Sequence, residues 1–301
     1  MNSTTESNLS LTISQYALVC LGFMGTLTNT FILWVLFVSP TLHTKRYILL
    51  TNLTVNDLFC SVVMIIGNSI DAFNGFPGHV VDDGFLGRLQ CVMRVKSFQW
   101  QSMKNSALIV TTIAIERFIS IMYPMYCIPK AFFIFMIFLP YIHSFMMSFM
   151  IHYISVKIAD DFCFAIYGHW FVSIHGMIGL FEYVVVRTIV PIVCYTVILL
   201  KIKRFKKSQS SGKVTSRAQI TTTRMLFNVT VISVLSTFPN QFHYKIVMEL
   251  LNTYLWTPNS PLSYLSGFLM GINVFLNFFA YAFSNSEFLN AVKKSLKIKV
   301  T

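Results

Sequence analysis

Seven apolar runs, each long enough to cross a bilayer, constrain this chain more than any other feature. They fall at about 16–38, 47–71, 91–122, 131–153, 174–200, 223–251 and 262–283. A helix rises 1.5 Å per residue, so roughly 20 residues cross a 30 Å hydrocarbon core. Inside lipid every backbone polar group must find its partner within the chain, and runs of this length do so as helices. The first run is too long for a signal-peptide core and follows no basic segment, so it reads as a retained helix. Composition agrees: 55% of residues are apolar and 11% charged, about half the charged fraction of an ordinary soluble domain. The expected fold is an all-α membrane protein, a seven-transmembrane helix bundle.

The net charge of +12 could suggest a nucleic-acid partner. Its distribution points instead to a lipid membrane. Asp71, Asp82, Asp83, Asp160, Asp161 and Glu249 lie at one set of connections. Lys45 and Arg46, the stretch from Lys201 to Lys207, and that from Lys293 to Lys299 lie at the other. Bases retained on the cytoplasmic side place the N-terminus outside and the C-terminus inside. No soluble face interleaves aromatics with bases, so no nucleic acid is expected.

Three regions follow. Residues 1–15 form an extracellular N-terminus with two glycosylation sequons, Asn2-Ser3-Thr4 and Asn8-Leu9-Ser10. Residues 16–283 form the membrane domain. Residues 284–301 hold a short amphipathic eighth helix, with Phe288, Leu289, Val292 and Leu296 on one face, and a short cytoplasmic tail. The connection over 201–222, KIKRFKKSQSSGKVTSRAQITT, is basic and rich in Ser and Thr. A topogenic anchor beside anionic lipid and a partner-binding loop both account for it.

Polar residues inside spans are costly and therefore mark sites. They include Asn29, Asp57, Ser106, Asn273 and Asn277, the last two on one helix face. Glu116 and Arg117 lie at the cytoplasmic end of the third span, where a snorkelling interfacial pair is the plainer reading. Four motifs then occur in order. Asn52-Leu53-Thr54-Val55-Asn56-Asp57-Leu58 matches Asn-Leu-x-x-x-Asp-Leu. Ile113-Ala114-Ile115-Glu116-Arg117-Phe118, with Ser106 upstream and Ile121 and Pro124 following, matches a Glu-Arg-Phe signature. Asn277-Phe278-Phe279-Ala280-Tyr281 is similar to Asn-Pro-x-x-Tyr, and the helix carrying Glu287 and Phe288 follows. On these residues the chain resembles the rhodopsin-like G-protein-coupled receptors over most of its length. Its Phe- and Met-rich composition is similar to that of invertebrate chemosensory or peptide receptors.

The resemblance implies a plasma-membrane receptor, multi-pass, that passes an extracellular small-molecule or peptide signal to a heterotrimeric G protein. It assigns coupling and activation to Glu116, Arg117, Phe118, Asn277, Tyr281 and Pro239. It makes Asp57, Ser106, Asn273 and Asn277 an internal sodium site, with an ion-free polar core as the alternative. It pairs Cys91 with Cys163 in an external disulfide. No other cofactor is expected. An opsin would carry lysine at Gly271 and an amine receptor aspartate at Gln99, so neither ligand class fits. Gln99, Trp100, Met103, Asn240, Gln241 and Tyr244 remain as a mixed pocket lining, against ordinary helix packing for each.

Several positions depart from the family. Thr237 stands where tryptophan usually precedes Pro239, Phe278 replaces the seventh-helix proline, and the fourth span has no tryptophan. If Tyr195 is the fifth-helix tyrosine, Arg187 takes a proline's place. Lys104 and Glu182 are expected to pair across the bundle, since neither charge tolerates lipid alone, or else to bind a charged group of the ligand. A transporter or ligand-gated channel would use Asp57, Lys104 and Glu182 as a polar pathway but leaves the motifs unexplained. No paired aspartates, Ser/His set or metal-ligand spacing supports an enzyme.

Overall fold

The computed structural model describes residues 2–74, 95–123, 125, 128–155, 182–208, 223, 226–235, 261–284 and 286–296. Every element among them is helical. Helix α1 (Asn2–Val38) leads through a 3-10 turn at Pro40–Leu42 into α2 (Lys45–Asn74). Then come α3 (Val95–Met122) and α4 (Lys130–Ser155). Helix α5 opens as a π-helical stretch, Glu182–Ile189, and continues as Val190–Ser208. The series ends with α6 (Leu226–Leu235), α7 (Pro261–Ser284) and α8 (Ser286–Ser295).

Four segments are long and apolar enough to cross a membrane: Gln15–Val38, Tyr47–Ile70, Asn105–Met122 and Val185–Arg204. Three shorter apolar helices, Lys130–Met146, Leu226–Leu235 and Gly271–Ala280, fall on the other three runs. Helix α1 begins at Asn2, so the backbone of residues 2–15 is continuous with the first span.

Polarity is inverted relative to a water-soluble bundle. Asn29, Asp57, Asn56, Ser106 and Asn277 are buried. Phe132, Phe135, Phe138 and Phe145 of α4 and Ile192, Val193 and Leu200 of α5 point outward. Such an apolar exterior would aggregate in water and is at ease in lipid, where packing and hydrogen bonds hold helices together.

Helix α2 packs on α1, α3 and α7, and α3 packs on α2, α4 and α5. The α1–α2 approach depends on two glycines. A Cβ at Gly22 would sit 2.7 Å from Ile65 Cγ1 and 3.0 Å from the Ser61 carbonyl oxygen, and one at Gly25 would sit 2.5 Å from Ser61 Oγ. Residues three apart share a helix face, so the pair forms one smooth groove for α2. Helix α8 folds back against α1 and the 3-10 turn. It buries Phe288, Ala291 and Val292, and its Glu287 Oε2 accepts a 3.0 Å hydrogen bond from the Tyr47 hydroxyl at the base of α2.

Candidate functional site

Two polar assemblies stand out among the buried residues. The upper one is built on α2, where Asp57 is fully buried. Ser106 Oγ on α3 donates to Asp57 Oδ1 at 2.7 Å, and Asn277 Nδ2 on α7 donates to Asp57 Oδ2 at 2.6 Å. One carboxylate thus joins three helices. Asn273, one turn before Asn277 on the same face of α7, is also buried. The side-chain amide oxygens (Oδ1) of Asn273, Asn277 and Asn105 have no hydrogen-bond partner among the described residues. Surplus acceptors on a carboxylate cluster suit a hard cation.

Of the expected set Asp57, Ser106, Asn273 and Asn277, hydrogen bonds join Asp57 to Ser106 and Asn277, while Asn273 is buried one turn away on α7. Three neighbours were missed. Asn56 Nδ2 donates to the Ser102 carbonyl at 2.9 Å and to Ser106 Oγ at 2.7 Å, while its Oδ1 accepts Asn105 Nδ2 at 3.2 Å. Ser102 Oγ returns a 3.2 Å bond to the Asn56 carbonyl. Ser106 oxygen therefore accepts from Asn56 while its hydroxyl is turned to Asp57. The signal was present, since Asn56, Ser102 and Asn105 are themselves polar residues within spans.

Two more asparagines tie the bundle. Asn29 Nδ2 bonds the Gly25 carbonyl and reaches the Val274 carbonyl of α7 at 3.0 Å. Asn52 Oδ1 accepts the Tyr141 hydroxyl of α4 at 2.8 Å. The fourth span lacks tryptophan, yet an aromatic with a polar handle still meets this motif residue.

The lower assembly ends α3. Arg117 Nε donates to Glu116 Oε2 at 2.5 Å, and Ser120 Oγ donates to Glu116 Oε1 at 2.9 Å. Both charged residues are buried, at 8% and 6% exposure, so they are not the solvated pair that snorkelling would produce. Tyr195 of α5, fully buried, sets its ring edge-on to Phe227 of α6 at a centroid distance of 5.8 Å. Arg187 is buried within the π-helical stretch. The helix is thus irregular where the resemblance places a proline. Thr111 Oγ1 of α3 donates 3.2 Å to the Val186 carbonyl there, occupying an acceptor in the widened turn. Phe278 leaves α7 continuous and lies edge-on to Phe31 of α1 at 5.8 Å.

Other expectations meet the structure only in part. Gln99 is buried and its Oε1 lacks a partner, while the side chains of Trp100, Met103, Lys104, Glu182 and Tyr281 lie outside the described residues, as does the Lys104–Glu182 pairing. Pro239, Asn240, Gln241, Tyr244, Cys91 and Cys163 also fall outside, and Asn2 and Asn8 are described only as backbone of α1.

A helical bundle with apolar outer faces, a buried carboxylate joining α2, α3 and α7, and a buried Glu-Arg pair at the end of α3 defines a membrane protein of the seven-helix receptor type. The chain matches the model of the 7 transmembrane receptor (rhodopsin family) over residues 28–283, and it belongs to that family. That span runs from α1 through α7 and includes all of the motif residues before α8. Among curated proteins no match is found.

Proposed function

We propose that this receptor sits in the plasma membrane with its N-terminus outside and signals to a heterotrimeric G protein. An extracellular small molecule or peptide favours one of two helix arrangements, and the G protein binds the cytoplasmic ends of the helices that the other arrangement keeps together. The chain itself makes and breaks no covalent bond.

The observation that carries this reading is the buried Glu116–Arg117 pair. A buried ion pair is poor value as a stabiliser, because desolvation consumes most of the attraction. It is well suited to a switch, since Arg117 can be released to a partner that supplies carbonyls or carboxylates. Phe118, Asn277, Tyr281 and Pro239 belong to the same machinery. Asp57, Ser106, Asn273 and Asn277 would hold a sodium ion, which supplies positive charge to balance Asp57 in one arrangement. Gln99, Trp100, Met103, Asn240, Gln241 and Tyr244 line the ligand pocket, Cys91 and Cys163 close the external disulfide, and Asn2 and Asn8 carry glycans.

The test is guanine-nucleotide exchange by a panel of G proteins on membranes bearing the native chain or Arg117→Ala at equal surface expression. Exchange above background that Arg117→Ala alters supports the proposal. Absence of exchange with every G protein, with broad extracts supplied as ligand, counts against it.

A further inference from the structure

The basic run that ends α5 is not uniform. Lys203 and Arg204 are exposed, as charges that only anchor topology should be. Lys201 is half-buried and turned inward, and its Nζ donates to the carbonyl oxygens of Ile121 at 2.9 Å and Met122 at 3.0 Å. Those are the last two residues of α3.

The final carbonyls of a helix have no donor within the helix, and the aligned peptide dipoles leave partial negative charge there. A lysine at a membrane interface ordinarily extends to lipid phosphate. Here an ammonium from a different helix serves both of these carbonyls instead. Ile121 also lies one turn beyond Arg117 and so on the same face of α3. The lysine therefore binds α5 to α3 directly beneath the Glu116–Arg117 pair.

We propose that Lys201 is an interhelical cap: it fixes the last turn of α3, sets where the second cytoplasmic connection begins, and restrains α5 from leaving α3. Its effect on signalling rests on the receptor reading; the cap itself does not. Separation of the inner helix ends must break both bonds, after which Lys201 joins Lys203 and Arg204 on the surface offered to the G protein. Lys201 is thus a positioning residue that restrains the resting arrangement.

The test uses the full chain in lipid nanodiscs, native and as Lys201→Met or Lys201→Arg. Hydrogen exchange is followed in peptides covering 119–125, together with unliganded nucleotide exchange on the G protein that the native chain engages. Lys201→Met should speed amide exchange in that stretch roughly tenfold and raise basal nucleotide exchange roughly fivefold or more. Lys201→Arg, which keeps charge and donors, should stay within about twofold of native on both. Unchanged amide exchange in Lys201→Met overturns the cap. A cap response with native basal signalling overturns the restraint. A cap response where the native chain drives no exchange on any G protein supports the cap and sinks the receptor reading instead. If Lys201→Met does not reach the membrane folded, Lys201→Gln takes its place with the same outcomes.

Discussion

Replacing Asn56 by alanine should weaken the α2–α3 contact by about 2–4 kcal/mol. The side chain donates to the Ser102 carbonyl and to Ser106 Oγ and accepts from Asn105 Nδ2. Interhelical hydrogen bonds in membrane proteins average about 0.6 kcal/mol each, so three contribute about 2 kcal/mol. The truncation also leaves the buried Asn105 amide without that acceptor, and an unsatisfied buried donor costs about 1–3 kcal/mol. Partial relaxation keeps the total below the simple sum. The assay is thermal unfolding of the purified chain in detergent, read by a thiol dye. Cys60 is fully buried beside this network, whereas Cys20 is exposed and can be blocked beforehand. At about 2–4 °C per kcal/mol, the apparent Tm should fall by roughly 4–16 °C. In an Asn105→Ala background the same change should cost about 1–3 kcal/mol less, because the shared bond and the Asn105 amide it would orphan are already gone. An Asn56→Ala chain that melts within about 1 °C of native would refute the clamp.

Sodium, with choline as the control, should raise the apparent Tm of the native chain by the linkage amount, about 1.4 kcal/mol at tenfold over Kd, and leave Asp57→Asn and Ser106→Ala unmoved; equal shifts in all three would remove the ion from the site. Tyr47→Phe deletes the donor to Glu287, so amides of α8 should exchange about 2–10 times faster, with Glu287→Gln, which keeps an acceptor, showing less. Gly25→Ala places a methyl 2.5 Å from Ser61 Oγ and should lower stability by about 1–3 kcal/mol. Ser61→Ala in the same chain should restore part of that loss, and no restoration would place the strain elsewhere.

The spans were legible because lipid leaves so few backbone solutions, and Asp57, Ser106, Asn277 and Arg117 were legible because a polar group in a span must have a reason. Asn56 obeys the same rule, yet it occupies a variable position of the motif, where attention goes to Asp57 beside it. The partners of Lys201 could not be read, because they lie 80 and 79 residues away along the chain. Composition assigns that lysine to a basic run; only packing shows that it faces a helix end. Tyr141 shows the same limit. A missing tryptophan is visible as an absence, but the hydroxyl that meets Asn52 depends on how α4 rotates against α2. The π-helical stretch at Arg187 is likewise a property of α5 against α3, with Thr111 supplying the donor.

Apart from the Tyr141–Asn52 bond, these contacts fall on one helix, α3. Ser102, Asn105 and Ser106 meet α2 at mid-span, Thr111 meets the π-helical stretch, Glu116 and Arg117 lie deeper, and the last two carbonyls of α3 meet Lys201. Helix α3 has 28 residues without a break and spans about 42 Å, so a rotation imposed at the Asp57 cluster reaches its Met122 end nearly undiminished. Helix α5 differs: its π-helical stretch is a place where one residue of register can be absorbed. Under the proposed function, α3 is therefore the fixed shaft and α5 the element that yields. A bond that ties the yielding element to the shaft, at the end where the partner docks, is where a small energy has the largest effect on the balance between the two arrangements.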